Sequence, residues 1–456
     1  MSHDQPRPTA TAGARAVRLG SLTAAATALT LGLAACGAGS DRESSSEDGG
    51  GATETGVTED SIKIGAHFPL TGVAAPGYSE IPTGAKAYFD YVNENGGVYD
   101  RQIEYLVEDD AYNPSNTSRV TDQLVLEDEI FAMVGGLGTP THSAVIDFLN
   151  AEQVPDMFVS SGALAWGEDP EENPYTFSWQ PDYEIEGKII GQYIAENMPD
   201  AKVGLFLQDD DFGDDGEAGV RQYIDDQIVE SVRYTSGNTD VGPQISALQA
   251  SGADLVLGFN VPSYTALSQL TAQQLGYDAD WYYSNVGSDP ALVGSLLERF
   301  SEGAVDGGGA LDGVMTSEYI PGTDQPDDPW VQLWQEVWDA SGEEGELTNY
   351  RIYGMSQAYA FVQALMATGP DLTRDGLVET VEEIGADLGG PPLAPFRFSA
   401  DSHMGISGVR IVELQGNETE ELTPVLVTDI GDAPIEEESS GSADDAPPES
   451  GIPEEG

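Results

Sequence analysis

Ile62-Lys63-Ile64-Gly65-Ala66 is a short apolar run. It leads, past a loop, into residues 78–95, where Ile81, Ala85, Tyr88, Phe89 and Val92 recur at helical spacing. Gly96-Gly97 ends that helix, because glycine readily takes the left-handed conformation a helix stop needs. Ile103, Tyr105 and Val107 then alternate as a strand. The chain thus opens on a β-α-β unit. Working outward, a helix at 114–129 carries Val120, Leu124 and Val125 on its apolar side, followed by strand 130–134, helix 141–151 and strand 155–159. The pattern restarts after Pro181 with helix 184–197 and Val203-Gly204-Leu205-Phe206-Leu207. Helices at 217–228, 241–250, 263–275 and 290–300 then alternate with strands at 229–234, 254–259, 280–283 and 314–319. Helices at 330–340 and 350–368 and strands at 396–398 and 409–414 close the fold. Repeated β-α-β units predict an α/β fold whose parallel sheets carry helices on both faces. Two successive runs predict two lobes rather than one very wide sheet.

Upstream, Arg7, Arg15 and Arg18 precede an apolar stretch at 19–33 that ends in Leu33-Ala34-Ala35-Cys36. Basic, then apolar, then small residues before a cut is the layout of a secretory signal. The apolar part falls short of the roughly 20 residues a membrane crossing needs. Cys36 is the only cysteine, so no intramolecular disulfide forms and folding rests on core burial. Residues 37–56 are rich in Gly, Ser, Asp and Glu and read as a flexible spacer. Residues 431–456, with Glu436-Glu437-Glu438 and Asp444-Asp445, read as a disordered acidic tail. The formal net charge is -63, from 80 acidic residues against 17 basic ones. Such a surface repels phosphate backbones and excludes nucleic acid as a partner. It also predicts a protein adapted to salt, because screening relieves self-repulsion.

Parallel α/β sheets place ligands beyond the carboxyl ends of their strands. The loops at 69–77, 135–141, 160–166, 208–216, 260–264 and 284–289 occupy those ends. They are Gly-, Ser-, Thr- or Asn-rich, and Gly162, Leu164 and Asn260 within them are candidate ligand contacts. Motifs of catalysis are missing: the chain has no G-x-S-x-G, no H-E-x-x-H and no phosphate loop ending in Gly-Lys. Asp209-Asp210-Asp211-Phe212-Gly213-Asp214-Asp215-Gly216 lacks the Glu that closes an EF-hand, since the twelfth position is Val220 or Gln222. It reads as a strand-to-helix loop. No metal, cofactor or catalytic residue is expected, and a secreted hydrolase using the acidic loops is the weakest of the functional readings.

Ile62-Lys63-Ile64-Gly65 with Pro69-Leu70-Thr71-Gly72, Asn93-Glu94-Asn95-Gly96-Gly97-Val98, Val107-Glu108-Asp109-Asp110 with Asn113-Pro114, Val134-Gly135-Gly136-Leu137-Gly138-Thr139 and Asp211-Phe212-Gly213 stand in one order and spacing. In that order, the chain resembles the branched-chain amino acid binding proteins of ABC importers over about 61–429. Leu33 to Cys36 likewise resembles a bacterial lipoprotein signal, whose cysteine is acylated. The resemblance implies a type I periplasmic binding protein, with two Rossmann-like lobes joined by a three-strand hinge. Its implied parts are a signal peptide (1–35), a lipidated linker (36–60), lobe one (61–180 plus 316–390) and lobe two (181–315 plus 391–430). It also implies a lipid-anchored monomer on the extracellular face of the cell membrane, serving a permease and ATPase.

Thr139 matches the family's Ser or Thr that holds the ligand carboxylate, with capping of the next helix as the plainer alternative. Phe212 and Tyr78 match aromatic pocket positions. Two departures bear on the ligand. The second carboxylate loop reads Ser160-Ser161-Gly162-Ala163-Leu164-Ala165-Trp166, and the ammonium-binding acid falls at Asn285. A buried ammonium without a carboxylate is costly. The expected ligand therefore has an anionic or amide end, an apolar body facing Tyr78, Trp166 and Phe212, and no need of a free amino group. Otherwise another acid, such as Asp182 or Glu184, takes the ammonium. A solute receptor feeding an importer and a sensory receptor on the same fold remain open, and neighbouring permease genes would favour the first.

Overall fold

The computed structural model describes residues 54–439 and 446–454. The signal region, Cys36 and most of the expected spacer lie outside the described residues. The first lobe runs β1 (Ser61–Phe68), α1 (Ala75–Tyr78), α2 (Ile81–Glu94), β2 (Gln102–Asp109), α3 (Pro114–Asp122), β3 (Ala132–Val134), α4 (Thr139–His142), α5 (Ile146–Ala151), β4 (Asp156–Val159) and β5 (Thr176–Ser178). Its five strands lie in the order β2-β1-β3-β4-β5, all parallel.

The chain then crosses and builds α6 (Tyr183–Asn197), β6 (Val203–Gln208), α7 (Asp211–Ile224), β7 (Ile228–Tyr234), α8 (Gly242–Ser251), β8 (Leu255–Phe259), α9 (Pro262–Leu275), β9 (Asp280–Tyr283), α10 (Pro290–Phe300) and β10 (Met315–Glu318). It returns to cover the first lobe with α11 (Pro329–Ser341), α12 (Asn349–Thr368) and α13 (Arg374–Ile384). A third crossing ends in β11 (Gly408–Gln415), β12 (Glu418–Glu421), β13 (Leu426–Val427) and β14 (Glu436–Glu437). The second sheet is ordered β14-β13-β11-β10-β9-β8-β6-β7, with β12 paired to β11. Its β7-β6-β8-β9-β10 part is parallel, and β11 joins β10 antiparallel.

Burial explains why these segments became strands. β6 and β8 are buried at every residue, as strands covered on both faces must be, whereas the edge strands β2 and β7 are only partly covered. The helices that follow begin on side-chain caps. Asp182, Asp210 and Asp289 accept from the backbone N–H of Ile185, Phe212 and Leu292. The three crossings are tied together by backbone bonds, Ile406 N–H to Trp179 O at 3.0 Å and Leu393 N–H to Tyr319 O at 2.8 Å.

Three expectations need correction. The helix expected at 141–151 is two, α4 and α5. The break falls just after His142, whose ring is held in the interior by His67 and Asp156. The strand expected at 396–398 reduces to a single bridge between Phe396 and Ile406. The expected disordered tail is partly ordered. Glu436 and Glu437 pair with β13, and the carbonyls of Ser450 and Gly451 accept from Tyr91 and Tyr88 at 2.8 and 2.9 Å. Gly451 fits there because it lacks a side chain: a Cβ would lie 2.7 Å from Leu333. Among the described residues, no helix is long and apolar enough to cross a membrane.

Candidate ligand-binding cleft

The carboxyl ends of both sheets face each other across a cavity of about 180 Å³. That is below the roughly 300–1,000 Å³ of drug-sized sites, so the room suits a small metabolite. Lobe one supplies Tyr78, Tyr112 and Thr139, and lobe two supplies Phe212, Asn285 and Asp289. The crossings add Gln180, Tyr183 and Tyr319, while α12 adds Tyr350 and Tyr353. Among the described residues, no Lys or Arg lines the cavity, but Asp289, Glu318 and Asp324 do.

The walls touch across the cleft. Leu164 N–H donates to Asp215 at 3.0 Å, Ser263 to Val73 O at 2.8 Å, and Asn349 to Asp289 at 2.9 Å. Tyr183 and Phe212 pack with ring centroids 4.3 Å apart. Thr139 shares its hydroxyl with Ser161 at 2.8 Å, and Ser161 reaches Tyr183 Oη at 3.3 Å. Tyr112 owes its place to Asp110, which accepts its N–H at 2.8 Å and holds Ala111 and Tyr112 at positive φ, a costly backbone for residues other than glycine. The loop that leads into Thr139 packs directly on the Tyr112 ring: a Cβ on Gly138 would lie 2.5 Å from it.

Polar balance sets the chemistry. Among the described residues, Gln180 Nε2 is buried in the lining without an acceptor, a costly state unless a ligand oxygen fills it, while Asn285 Nδ2, turned towards Glu186, makes no well-aligned bond. Asp289 is half-buried, with Asn349 and Leu292 N–H as donors and, among the described residues, no cation beside it. Burial pushes its carboxyl above the usual range. Glu318 already pairs with Arg410 at 2.8 Å. Behind Asn285, the fully buried Glu186 accepts from Ser317, from Asn285 N–H and from Ser284, and burial raises its carboxyl too. Among the described residues, no group of three or more His, Cys, Asp or Glu could hold a metal ion.

Tyr78, Thr139, Phe212 and Asn285 are therefore brought together. Gly162, Leu164 and Asn260 are not part of the lining, a correction to the sequence reading. Gly162 is pressed against Pro181 and the Tyr183 ring, where even a Cβ would lie 2.7 Å from Pro181 O. Leu164 turns into a short 3-10 segment and offers its N–H to Asp215. Asn260 turns inward to Thr265, under Gly287, and its neighbour Val261 faces the cavity instead. Trp166 lies edge-on against His142, away from the ligand space. Asp182 is committed to Arg397 at 2.5 Å, and neither it nor Glu184 lines the cavity. The missed lining residues include Asp289, inside a loop the strand ends had marked. Others, such as Tyr319, Tyr350 and Tyr353, come from distant segments with no local signal.

Two parallel-sheet lobes joined by three crossings around an interlobe cavity define the type I periplasmic binding fold. Residues 61–419 match the periplasmic binding protein family, and the chain belongs to it. A leucine-, isoleucine-, valine-, threonine- and alanine-binding protein of Pseudomonas aeruginosa is 24% identical over 226 residues, 49% of this chain and 60% of its own length. A Leu/Ile/Val-binding protein homologue of Brucella abortus is 23% identical over 310 residues, 67% of this chain and 77% of its own. Among solved structures, a branched-chain amino acid ABC transporter protein of Thermus thermophilus with bound valine superposes with TM-score 0.68 at 20% identity, covering 83% of this chain and 97% of its own. A fatty acid ABC transporter substrate-binding protein of Thermomonospora curvata does so with TM-score 0.70 at 21% identity, covering 83% and 96%. At these identities the structural likeness establishes the fold alone.

Proposed function

We propose that this protein is a non-catalytic solute receptor that captures a small, net-neutral ligand, an amino acid zwitterion or an amide, between its lobes and delivers it to an ABC permease. The observation that carries the reading is the cavity's polar balance. Gln180, with an unpartnered amide donor, and Asn285, whose amide makes no well-aligned bond, ask for acceptor oxygens, while among the described residues the lining offers acids and no cation. A free carboxylate would meet no counter-charge there, whereas a zwitterion turns its ammonium to Asp289 and its carboxylate to the amides and Thr139. The tyrosines and Phe212 suit an apolar body. The amino acid-binding relatives support this class of ligand.

Calorimetry with leucine, 3-methylbutanamide and 4-methyl-2-oxopentanoate tests it. Leucine or the amide should bind at least about tenfold tighter than the oxo acid, in keeping with the cost of an unpaired buried charge. Tight binding of the oxo acid with none of the other two would overturn the reading. We propose further that Cys36 carries the lipid that holds the receptor at the outer face of the membrane. Cys36→Ala should lose incorporation of a fatty-acid label while the folded domain keeps its ligand. A mutant that retains the label would refute the anchor.

A further inference from the structure

Beneath the Thr139 loop lies a chain of four ionisable side chains that make no contact with solvent. Asp110 Oδ2 meets His67 Nδ1 at 2.9 Å, His67 Nε2 meets His142 Nδ1 at 3.0 Å, and His142 Nε2 meets Asp156 Oδ2 at 2.6 Å. All four residues are fully buried. The imidazoles lie 5.3 Å apart between centroids with nitrogens 3.0 Å apart, so they meet head to head. The charged groups facing His67 are His142, Asp110 and Asp156. The other polar contacts on the chain come from neutral partners: Thr117 and Tyr112 N–H on Asp110, and Thr176 on Asp156.

Three hydrogen bonds need three protons, one in each junction. Two neutral imidazoles and two carboxylates carry only two, whichever tautomers are chosen. Without a third proton, one junction would set two lone pairs against each other in a dry interior, which is costly. Burial pushes His67 towards its neutral form. At the far end of the chain, Asp156 Oδ1 is buried without a donor of its own.

We propose that Asp110, His67, His142 and Asp156 form a proton-sharing chain, holding one proton beyond two neutral imidazoles and two carboxylates, that positions the cleft residues Tyr112 and Thr139. Each link to the cleft is direct. Asp110 anchors Tyr112 through its N–H. His142 ends the short helix that begins at Thr139. Gly136, between them, rests on the imidazole pair: a Cβ there would lie 2.8 Å from His67 Nε2 and 2.9 Å from His142 Nδ1. The consequence for binding rests on the cleft reading, but the proton count does not.

The test is imidazole nitrogen and carboxyl carbon spectroscopy of the full-length protein labelled at histidine and aspartate, with the other imidazoles assigned through His3→Gln and His403→Gln variants. At pH 8, the two chain imidazoles should together show three protonated nitrogens, or two with the third proton on the Asp110 or Asp156 carboxyl. In Asp156→Asn the amide N–H can donate to His142 Nε2, so both imidazoles should turn neutral in a folded protein. Hydrogen exchange supplies the positioning readout. Asp156→Ala, which leaves the chain open, should speed exchange at 110–113 and 135–142 by about tenfold or more, matching the cost of an unpaired buried group, and leave β6 unchanged. Asp156→Asn should keep those segments protected. Two singly protonated imidazoles between two ionised carboxylates in the wild type, a doubly protonated chain imidazole in Asp156→Asn, or unchanged exchange in Asp156→Ala would each overturn the proposal. None of these readouts uses a ligand, so failure here is distinct from failure of the receptor reading.

Discussion

Asp215 sits where the lobes meet, with Leu164 N–H as its donor and no cation. Burial, helped by Asp211, Asp182 and Glu168, pushes its carboxyl up to about 7. A carboxyl raised by folding contributes stability in full below its unfolded value, near 3.8, and that contribution is lost as pH rises through about 7. Asp215→Asn keeps an acceptor for Leu164 and removes the charge. It should raise the melting temperature by about 2–6 °C at pH 8 and by clearly less at pH 5. Equal shifts at both pH values would mean that the side chain is not titrating in this window. Gly136→Ala belongs to the same scale. With both contacts under 3.0 Å and fully buried, it should cost about 1–3 kcal/mol, read from denaturant unfolding.

At the level of elements, both lobes solve one packing problem in the same way. Helix α2 meets α12 at Gly84 and Gly354, where a Cβ would lie 2.2 Å from Arg351 O and 2.0 Å from Ile81 O respectively. Helix α6 meets α7 at Gly187 and Gly219, and a Cβ on Gly219 would lie 2.1 Å from Glu184 O. Backbone touches backbone, so no side chain can yield. Gly354→Ala and Gly219→Ala should each cost about 1–3 kcal/mol or more, with no loss from alanine's helix propensity to blame. The scarce cations act as clamps on carbonyls. Arg374, at the start of α13, donates to the carbonyls of Ile130, Phe131, Glu152 and Gln153, closing the lower edge of the first sheet. Arg374→Ala should destabilise by about 1.5–3 kcal/mol, measured by chemical denaturation. Lys188 is buried in a similar ring formed by Thr428 and the carbonyls of Asp429, Gly431 and Ala433.

Across the whole molecule, a net charge of -63 opposes compaction wherever screening is weak. The melting temperature should rise from low to molar salt, and a transition that does not move would sink the idea of salt adaptation. Closure is the second property of this scale. The cavity's contacts come from both lobes and from the crossings between them, so a saturating ligand from the calorimetric set should reduce the radius of gyration in solution scattering. An unchanged profile at saturation would argue against a hinged clamp.

The sequence by itself determined the α/β class, the restart at Pro181 and the loops that border the cleft. Those features follow from local rules: apolar runs such as Val203 to Leu207 must be covered on both faces, and glycines and caps punctuate them. Which residue of a loop faces the ligand space was decided only in three dimensions. Leu164 was drawn to Asp215, Asn260 to Thr265, and the docked end of the chain to Tyr88 and Tyr91. Tyr319, Tyr350 and Tyr353 reached the cleft from elements far along the chain, and His67 met His142 across 75 positions. Periodicity reports the face an element buries. The partner it buries that face against is set by packing between segments that are neighbours only once the lobes have formed.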